Sequence, residues 1–208
     1  DINPRIKNQN SLADYRIYGA LNFFNTNVEI SNLYSSNISS EDTLNIIKSD
    51  FFIKDSHFLN IDSDAIDSDY SIGKIDNISF ENIADDALDF SGSNVEVKNI
   101  IANKVDDKVI SAGENSQLNI DNLEVHSSFI GVANKDGSKL ILKNANFDYV
   151  KIPLASYTKK NFYKNSYMYV LDSTFKNYES KYVLSKESIN NINNKKLKKN
   201  RKNNEVLK

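Results

Sequence analysis

The feature that most limits what this chain can fold into is a short sentence of residues that recurs about every 22 positions. Ser71…Ile75-Asp76-Asn77-Ile78-Ser79-Phe80 is followed by Ser93…Val97-Lys98-Asn99-Ile100-Ile101-Ala102, then by Ser116…Ile120-Asp121-Asn122-Leu123-Glu124-Val125 and Ser138…Leu142-Lys143-Asn144-Ala145-Asn146-Phe147. With the asparagine as a register mark, the slot falls on Asn32, Asp55, Asn77, Asn99, Asn122, Asn144 and Asp172, in steps of 23, 22, 22, 23, 22 and 28.

Six positions before the mark stand Thr26, Ser49, Ser71, Ser93, Ser116, Ser138 and Ser166, a hydroxyl in every copy. Two before it are Ile30, Ile53, Ile75, Val97, Ile120, Leu142 and Val170; three after it are Ser35, Phe58, Phe80, Ala102, Val125, Phe147 and Phe175. Apolar slots that alternate over short runs, without helical spacing, indicate strands. A repeat of this length made of strands indicates a solenoid, in which each copy is one coil and neighbouring coils lie about 4.8 Å apart. One coil cannot bury its own apolar face, but a stack can, and a buried column of Asn or Ser can hydrogen-bond from coil to coil. The expected fold is therefore all-β, a parallel β-solenoid of about seven coils.

The expected domain limits are a lead-in at residues 1–14, the β-helix at 15–185 and a basic disordered tail at 186–208. The tail carries eight basic residues against Glu187 and Glu205, a charge of +6, so that the net −2 of the chain leaves −8 on the remainder. That balance speaks against a body that binds polyanions, and a solvated tail is the ordinary reading of such a Lys/Asn-rich end, so no nucleic-acid partner is expected. There is no cysteine, which removes disulfides, thiolate metal sites and thiol nucleophiles. No apolar run reaches the length of a membrane span. A chain that opens on Asp1 without an initiator Met reads as a mature form or an excised region. The long step between Asn144 and Asp172 points to an inserted loop near residues 156–163.

A second periodic feature carries the candidate chemistry. The strings Glu41-Asp42-Thr43-Leu44-Asn45, Ser63-Asp64-Ala65-Ile66-Asp67, Asp85-Asp86-Ala87-Leu88-Asp89 and Asp106-Asp107-Lys108-Val109-Ile110 align with Leu44, Ile66, Leu88 and Val109 inward. Asp42, Asp64, Asp86 and Asp107 then form one row, and Asn45, Asp67 and Asp89 a second. Carboxylates stacked in neighbouring coils repel by about 3 kcal/mol at a surface dielectric of ~20 and must be offset by a cation, by shared protons, by backbone amides or by splaying into water. Ca²⁺ suits such all-oxygen ligands, although the spacing is not that of a calcium loop. The competing reading is that each Asp merely bonds backbone amides at a turn.

Lys108 stands beside the end of the row, and Lys159 and Lys160 in the inserted loop are placed to fold over a face. His57 and His126 fall on a stretch away from the acids. Ser91-Gly92-Ser93 has glycine at the centre, the wrong place for a nucleophile turn and the right one for a corner. Tyr34, Tyr70, Tyr149, Tyr157, Tyr163 and Tyr167 lie off the inward slots, placed either to stack on sugar rings or to cover coil edges.

With those strings in place, and with Asp85-Asp86-Ala87-Leu88-Asp89-Phe90-Ser91-Gly92-Ser93 and Lys135-Asp136-Gly137-Ser138 among them, residues 15–185 resemble the pectate-lyase-like superfamily of right-handed parallel β-helices, and more narrowly β-helix regions of exported or surface bacterial proteins. The resemblance implies an extracellular location and a face of carboxylates for Ca²⁺ and polysaccharide to which Asp64, Asp86 and Asp107 correspond; with the rows read above, the expected metal ligands are Asp42, Asp64, Asp86 and Asp107 and the expected ligand-binding residues Asn45, Asp67, Asp89, Lys159 and Lys160. The expected function is a binding module that presents this acidic strip; the alternatives are a Ca²⁺-assisted polysaccharide lyase or uronate epimerase with Lys108 as the base, and a spacer without ligand. The Gly-His-Gly string of the polygalacturonase-like hydrolases is missing, and Arg16 is the only arginine between Arg5 and Arg201, which leaves an arginine-base lyase without its base. Oligomeric state stays open.

Overall fold

A computed structural model of the chain describes residues 11–12, 15–16, 18–185 and 188–197. Every regular element in them is a strand, wound into a right-handed parallel β-solenoid of about eight turns, one more than the repeat alone suggests. Among the described residues no helix is long and apolar enough to cross a membrane. The lead-in expected at 1–14 lies almost wholly outside the described residues. Ser11–Leu12 and Tyr15–Arg16 pair antiparallel in a small sheet of their own, so the solenoid proper begins with Gly19–Phe24 rather than at Tyr15.

The register mark works as a corner. Asn32, Asp55, Asn77, Asn99, Asn122, Asn144 and Asp172 all have positive φ, between 48° and 61°. A left-handed turn costs an ordinary L-residue energy, and Asn and Asp tolerate it best among side chains. Five positions later a second left-handed column follows, Asn37, Asn60, Asn82, Lys104, Ser127, Tyr149 and Asn177, and seven before the mark a third that includes Asn25, Lys48, Tyr70, Gly92 (φ 64°), Asn115 and Gly137 (φ 78°). Three corners per coil give three faces: the first precedes the mark, the second follows it, and the third closes the coil.

Two polar ladders lock the stack. The serine column is buried from Ser49 to Ser166. The backbone N–H of Ser49, Ser71 and Ser93 donates to the hydroxyl of the serine one coil on, at 3.0–3.1 Å, while Ser49 and Ser71 donate to carbonyls of their own coil. The asparagine column is exposed instead. Asn77 Nδ2 donates to Asp55 Oδ1 and Asn122 Nδ2 to Asn99 Oδ1, each at 2.7 Å, so it links coils from the solvent side.

Between the ladders lies the core. Ile53, Ile75, Val97, Ile120, Leu142 and Val170 form one buried column. In the column three after the mark, Phe58 stacks on Phe80 at 5.3 Å and Phe147 on Phe175 at 5.4 Å, with Ala102 and Val125 between the two pairs. Tyr157 ends the long strand Lys139–Tyr157, and the extra residues of the 28-residue step form a loop before Tyr167–Leu171.

The tail expected from Lys186 starts later. Ile189–Ile192 adds a parallel strand to Tyr167–Leu171, and Lys195–Leu197 turns back antiparallel on it, which ends the parallel stacking on that face. Residues 198–208 lie outside the described residues.

Phe80 is fully buried and stacked, whereas Asn77 sits three residues away on an exposed ladder. Phe80→Ala is expected to lower the unfolding free energy by about 3–5 kcal/mol in denaturant titration, and Phe80→Leu by less than half of that.

Candidate functional site

The third face collects the acids. Its strands pair in register, so that Asp42 meets Asp64, Leu44 meets Ile66 and Ile66 meets Leu88, and Asn45 meets Asp67 and Asp67 meets Asp89. From there Leu88 pairs with Ile110 and Asp89 with Ser111. The expected alignment therefore slips by one residue in the fourth coil: the inward slot belongs to Ile110, not Val109, and the row runs Asp42, Asp64, Asp86, Lys108. Asp107 stands beside Asp85 in the neighbouring column. The row goes on to Ile130, since Lys108 pairs with it, and then to Ile152. The face changes from acid to apolar as the coils advance, and Ile130, Ala133, Ile152, Ala155 and Val183 form a second buried cluster there, with Phe129 and Tyr157 against it.

Three local devices compensate part of the stacked charge. Asp42 Oδ2 accepts from Asn45 Nδ2 at 2.9 Å. Asp64 Oδ1 accepts the backbone N–H of Asp86 at 2.8 Å, and Asp86 Oδ1 that of Lys108 at 3.0 Å, so both carboxylates build the turn of the next coil. Asp86 is also gripped by the Lys108 ammonium, at 2.9 and 3.2 Å, which bonds Asp107 as well.

Asp67 has none of these. Half-buried in the middle of the face, it has no hydrogen bond or ion pair with any described residue, and its electrostatic neighbours are Asp69, Asp42, Asp89 and Asp64. Burial, reinforced by those acids, pushes its carboxyl up to about 9. Burial likewise raises Asp64 to about 8, Asp42 to about 7 and Asp69 to about 6, with Asp86 the largest charge acting on Asp64. At Asp86 burial pushes up and the Lys108 ammonium pulls down. Burial works against the charge of Lys108, yet Asp86 and Asp107 outweigh it and hold the amine above the ordinary lysine range. An amine held protonated cannot abstract a proton near neutral pH. Lys108 is placed as a counter-ion to Asp86 and Asp107, a pairing that weighs against the expected base.

The expected four-carboxylate metal set is not brought together as a unit. Asp64, Asp85 and Asp86 instead present carboxylate oxygens all within 4.8 Å of one another. Two oxygens on opposite sides of a Ca²⁺ ion lie about 4.6–5.2 Å apart, because each bond is about 2.3–2.6 Å, so this trio fits one. Asp42 is bonded to Asn45 and Asp107 to Lys108, and within the trio Asp86 is held by Lys108 as well.

The inserted loop sits at the third corner. The backbone N–H groups of Lys159 and Lys160 donate to Asp136 Oδ1 at 2.7 Å, and the Lys160 ammonium pairs with Glu114, which also accepts from Tyr70. Lys160 acts on Asp69 from that corner, while the Lys159 side chain is exposed. His57 and His126 are on the second face, the former stacked on Tyr34 at 5.4 Å, apart from the acids. Asp69, Asp85, Ser111 and Lys135 complete the third face and were not singled out as site residues. Asp69 had a readable signal, two positions after Asp67 on an alternating strand. Lys135 had none: its ammonium comes to 4.0 Å from Asp89 from two coils away, with its side chain against Gly113.

The chain matches no protein-family model, no curated protein and no solved structure in comparisons with known proteins.

The raised carboxyls set a pH dependence. Above the ordinary value of 3.8 the unfolded chain has released protons that folded Asp42, Asp64 and Asp67 keep until about 7, 8 and 9. Their contribution favours the folded state at low pH and is lost as pH rises through the folded values. In buffer with chelator, Tm is expected to fall between pH 5.5 and pH 9, and Asp67→Asn to flatten that slope; a slope unchanged by Asp67→Asn would contradict the assignment.

Proposed function

We propose that this chain is a binding module whose third face takes a cation and, through it or directly, a polysaccharide. The observation that carries the reading is Asp67, a half-buried carboxyl surrounded by four other acids and reached by no positive group. A carboxyl in such a place holds a proton or a foreign cation, and at pH 8 a cation replaces the proton at a gain in stability. Asp64, Asp85 and Asp86 add oxygens at a spacing that Ca²⁺ accepts. The polysaccharide half of the reading, like an extracellular place on a bacterial surface, rests on the resemblance to pectate-lyase-like β-helices. The lyase and epimerase alternatives lose their base with Lys108 held as an ammonium. The spacer reading is favoured by the turn-building bonds of Asp64 and Asp86, but those bonds do not involve Asp67 or Asp69.

Thermal unfolding at pH 8 with increasing Ca²⁺ tests the proposal. A site at one hundred times its Kd adds about 2.7 kcal/mol of stability, a rise in Tm of roughly 5–10 °C for a chain of this size. Asp67→Asn is expected to fold as well as the parent without Ca²⁺ and to lose most of the rise. No rise with Ca²⁺, Mg²⁺ or Mn²⁺ in the parent would leave the spacer reading in its place.

A further inference from the structure

The third face already holds cations of its own, and they have one chemistry. Lys108 lays its side chain into the face, only 13% exposed, and ends on Asp86 and Asp107. Lys135, equally covered, lies over Gly113 with Cε 3.3 Å from where a Cβ would stand, and ends near Asp89. Both deliver a primary ammonium to carboxylates of the third and fourth coils, Lys135 across Gly113. One and two coils back the same columns carry Asp64, Asp67 and Asp42, and no described lysine reaches them.

A second observation on this face concerns polar atoms without partners. Ser111 is fully buried, stands on the same face as Asp89 as its in-register partner, and its hydroxyl has no hydrogen-bond partner. Asp89 Oδ1 beside it has no hydrogen bond either. Buried polar atoms without partners are costly, about 1–3 kcal/mol each, and such a pair at the boundary of the open acids can be satisfied from a ligand.

The rim decides among ammonium carriers. The corner next to Asp69 exposes Tyr70 and, on the inserted loop, Phe162, which is 79% exposed and packs on Tyr163 at 4.6 Å. Aromatic faces beside an acidic floor suit a sugar ring that carries an amine: the ring stacks on the rim and the ammonium reaches the acids. A bare alkyl amine would use only the floor.

The geometry points to an oligosaccharide of amino sugars with free amines as the ligand of the third face, its ammonium groups on Asp42, Asp64 and Asp67 in the places that Lys108 and Lys135 fill further along. This deepens the proposed function and rests on it: cation and polysaccharide become one molecule.

The test is isothermal titration near neutral pH, where the sugar amine is protonated, with a glucosamine hexamer, its fully N-acetylated form, spermine, and Ca²⁺ alone. The hexamer is expected to bind at least tenfold more tightly than the N-acetylated form and than spermine, to weaken as salt rises, and to lose tenfold or more in Asp67→Asn. Phe162→Ala, at an exposed position, is expected to weaken the hexamer several-fold and leave spermine and Ca²⁺ unchanged. Equal binding of the acetylated form would overturn the ammonium, equal binding of spermine the ring, and full affinity in Asp67→Asn the location. If Ca²⁺ still raises Tm while the hexamer fails to bind, the inference falls and the proposed function stands; if neither binds, both fall.

Discussion

The in-register backbone ladder between coils is the constraint on which everything else in this molecule depends. Parallel strands about 4.8 Å apart place each residue directly above its counterpart one coil away. The ladder survives only if the corners match, and they do, because Asn or Asp stands at the left-handed mark in all seven copies. Stacking like on like then suits every column whose residues attract or pack. Buried serines pass hydrogen bonds along the axis, exposed asparagines do so on the outside, and phenylalanines stack ring on ring.

The same constraint makes a column of aspartates costly, since like charges about 5 Å apart repel by about 3 kcal/mol even at an effective dielectric of ~20. The molecule answers with several different partners rather than one. Asn45 bonds Asp42, backbone amides cap Asp64 and Asp86, and Lys108 enters the row itself as the fourth member. These partners lie along the edge of the face nearest the second corner. Asp67, further along the strand, is left to burial and the repulsion of its neighbours, while Asp69 beyond it feels Lys160 from the third corner.

Most of the architecture could be read from letters because each column has a simple physical rule. An apolar residue at the slots before and after the mark goes inside, a hydroxyl six before it turns the chain, and Gly92 sits where a left-handed corner was expected. The acid rows were readable as far as Asp89. Beyond it, Asp106-Asp107 imitates Asp85-Asp86, and matching like with like shifts the fourth coil by one residue. Backbone pairing ignores that likeness and counts from Leu88 to Ile110, which puts Lys108 in the row. A one-residue slip along a strand changes which face a side chain joins, so Lys108, expected beside the row, stands in it. Lys135 was hidden for another reason: a long flexible side chain acts two coils away from its own backbone, and no spacing rule records it. The last strands were obscured by composition, since Ile189–Ile192 and Lys195–Leu197 sit inside a Lys/Asn-rich stretch that lacks the repeat's apolar slots.

The register itself is open to direct measurement, because the chain has no cysteine of its own. Lys74 and Glu96 are exposed in-register partners on the first face, with a side-chain ion pair at 3.6 Å. Cysteines there would have Cα atoms about 4.8 Å apart, within the span of a disulfide, whereas Lys74 and Lys98 are displaced by two residues and fall beyond the limit of about 7 Å. Under mild oxidation of dilute protein, Lys74→Cys/Glu96→Cys is predicted to close an intramolecular disulfide, seen as faster migration in a non-reducing denaturing gel, and Lys74→Cys/Lys98→Cys is predicted to stay open. Closure of the second pair in preference to the first would contradict the stacking that makes sparse acids into one face.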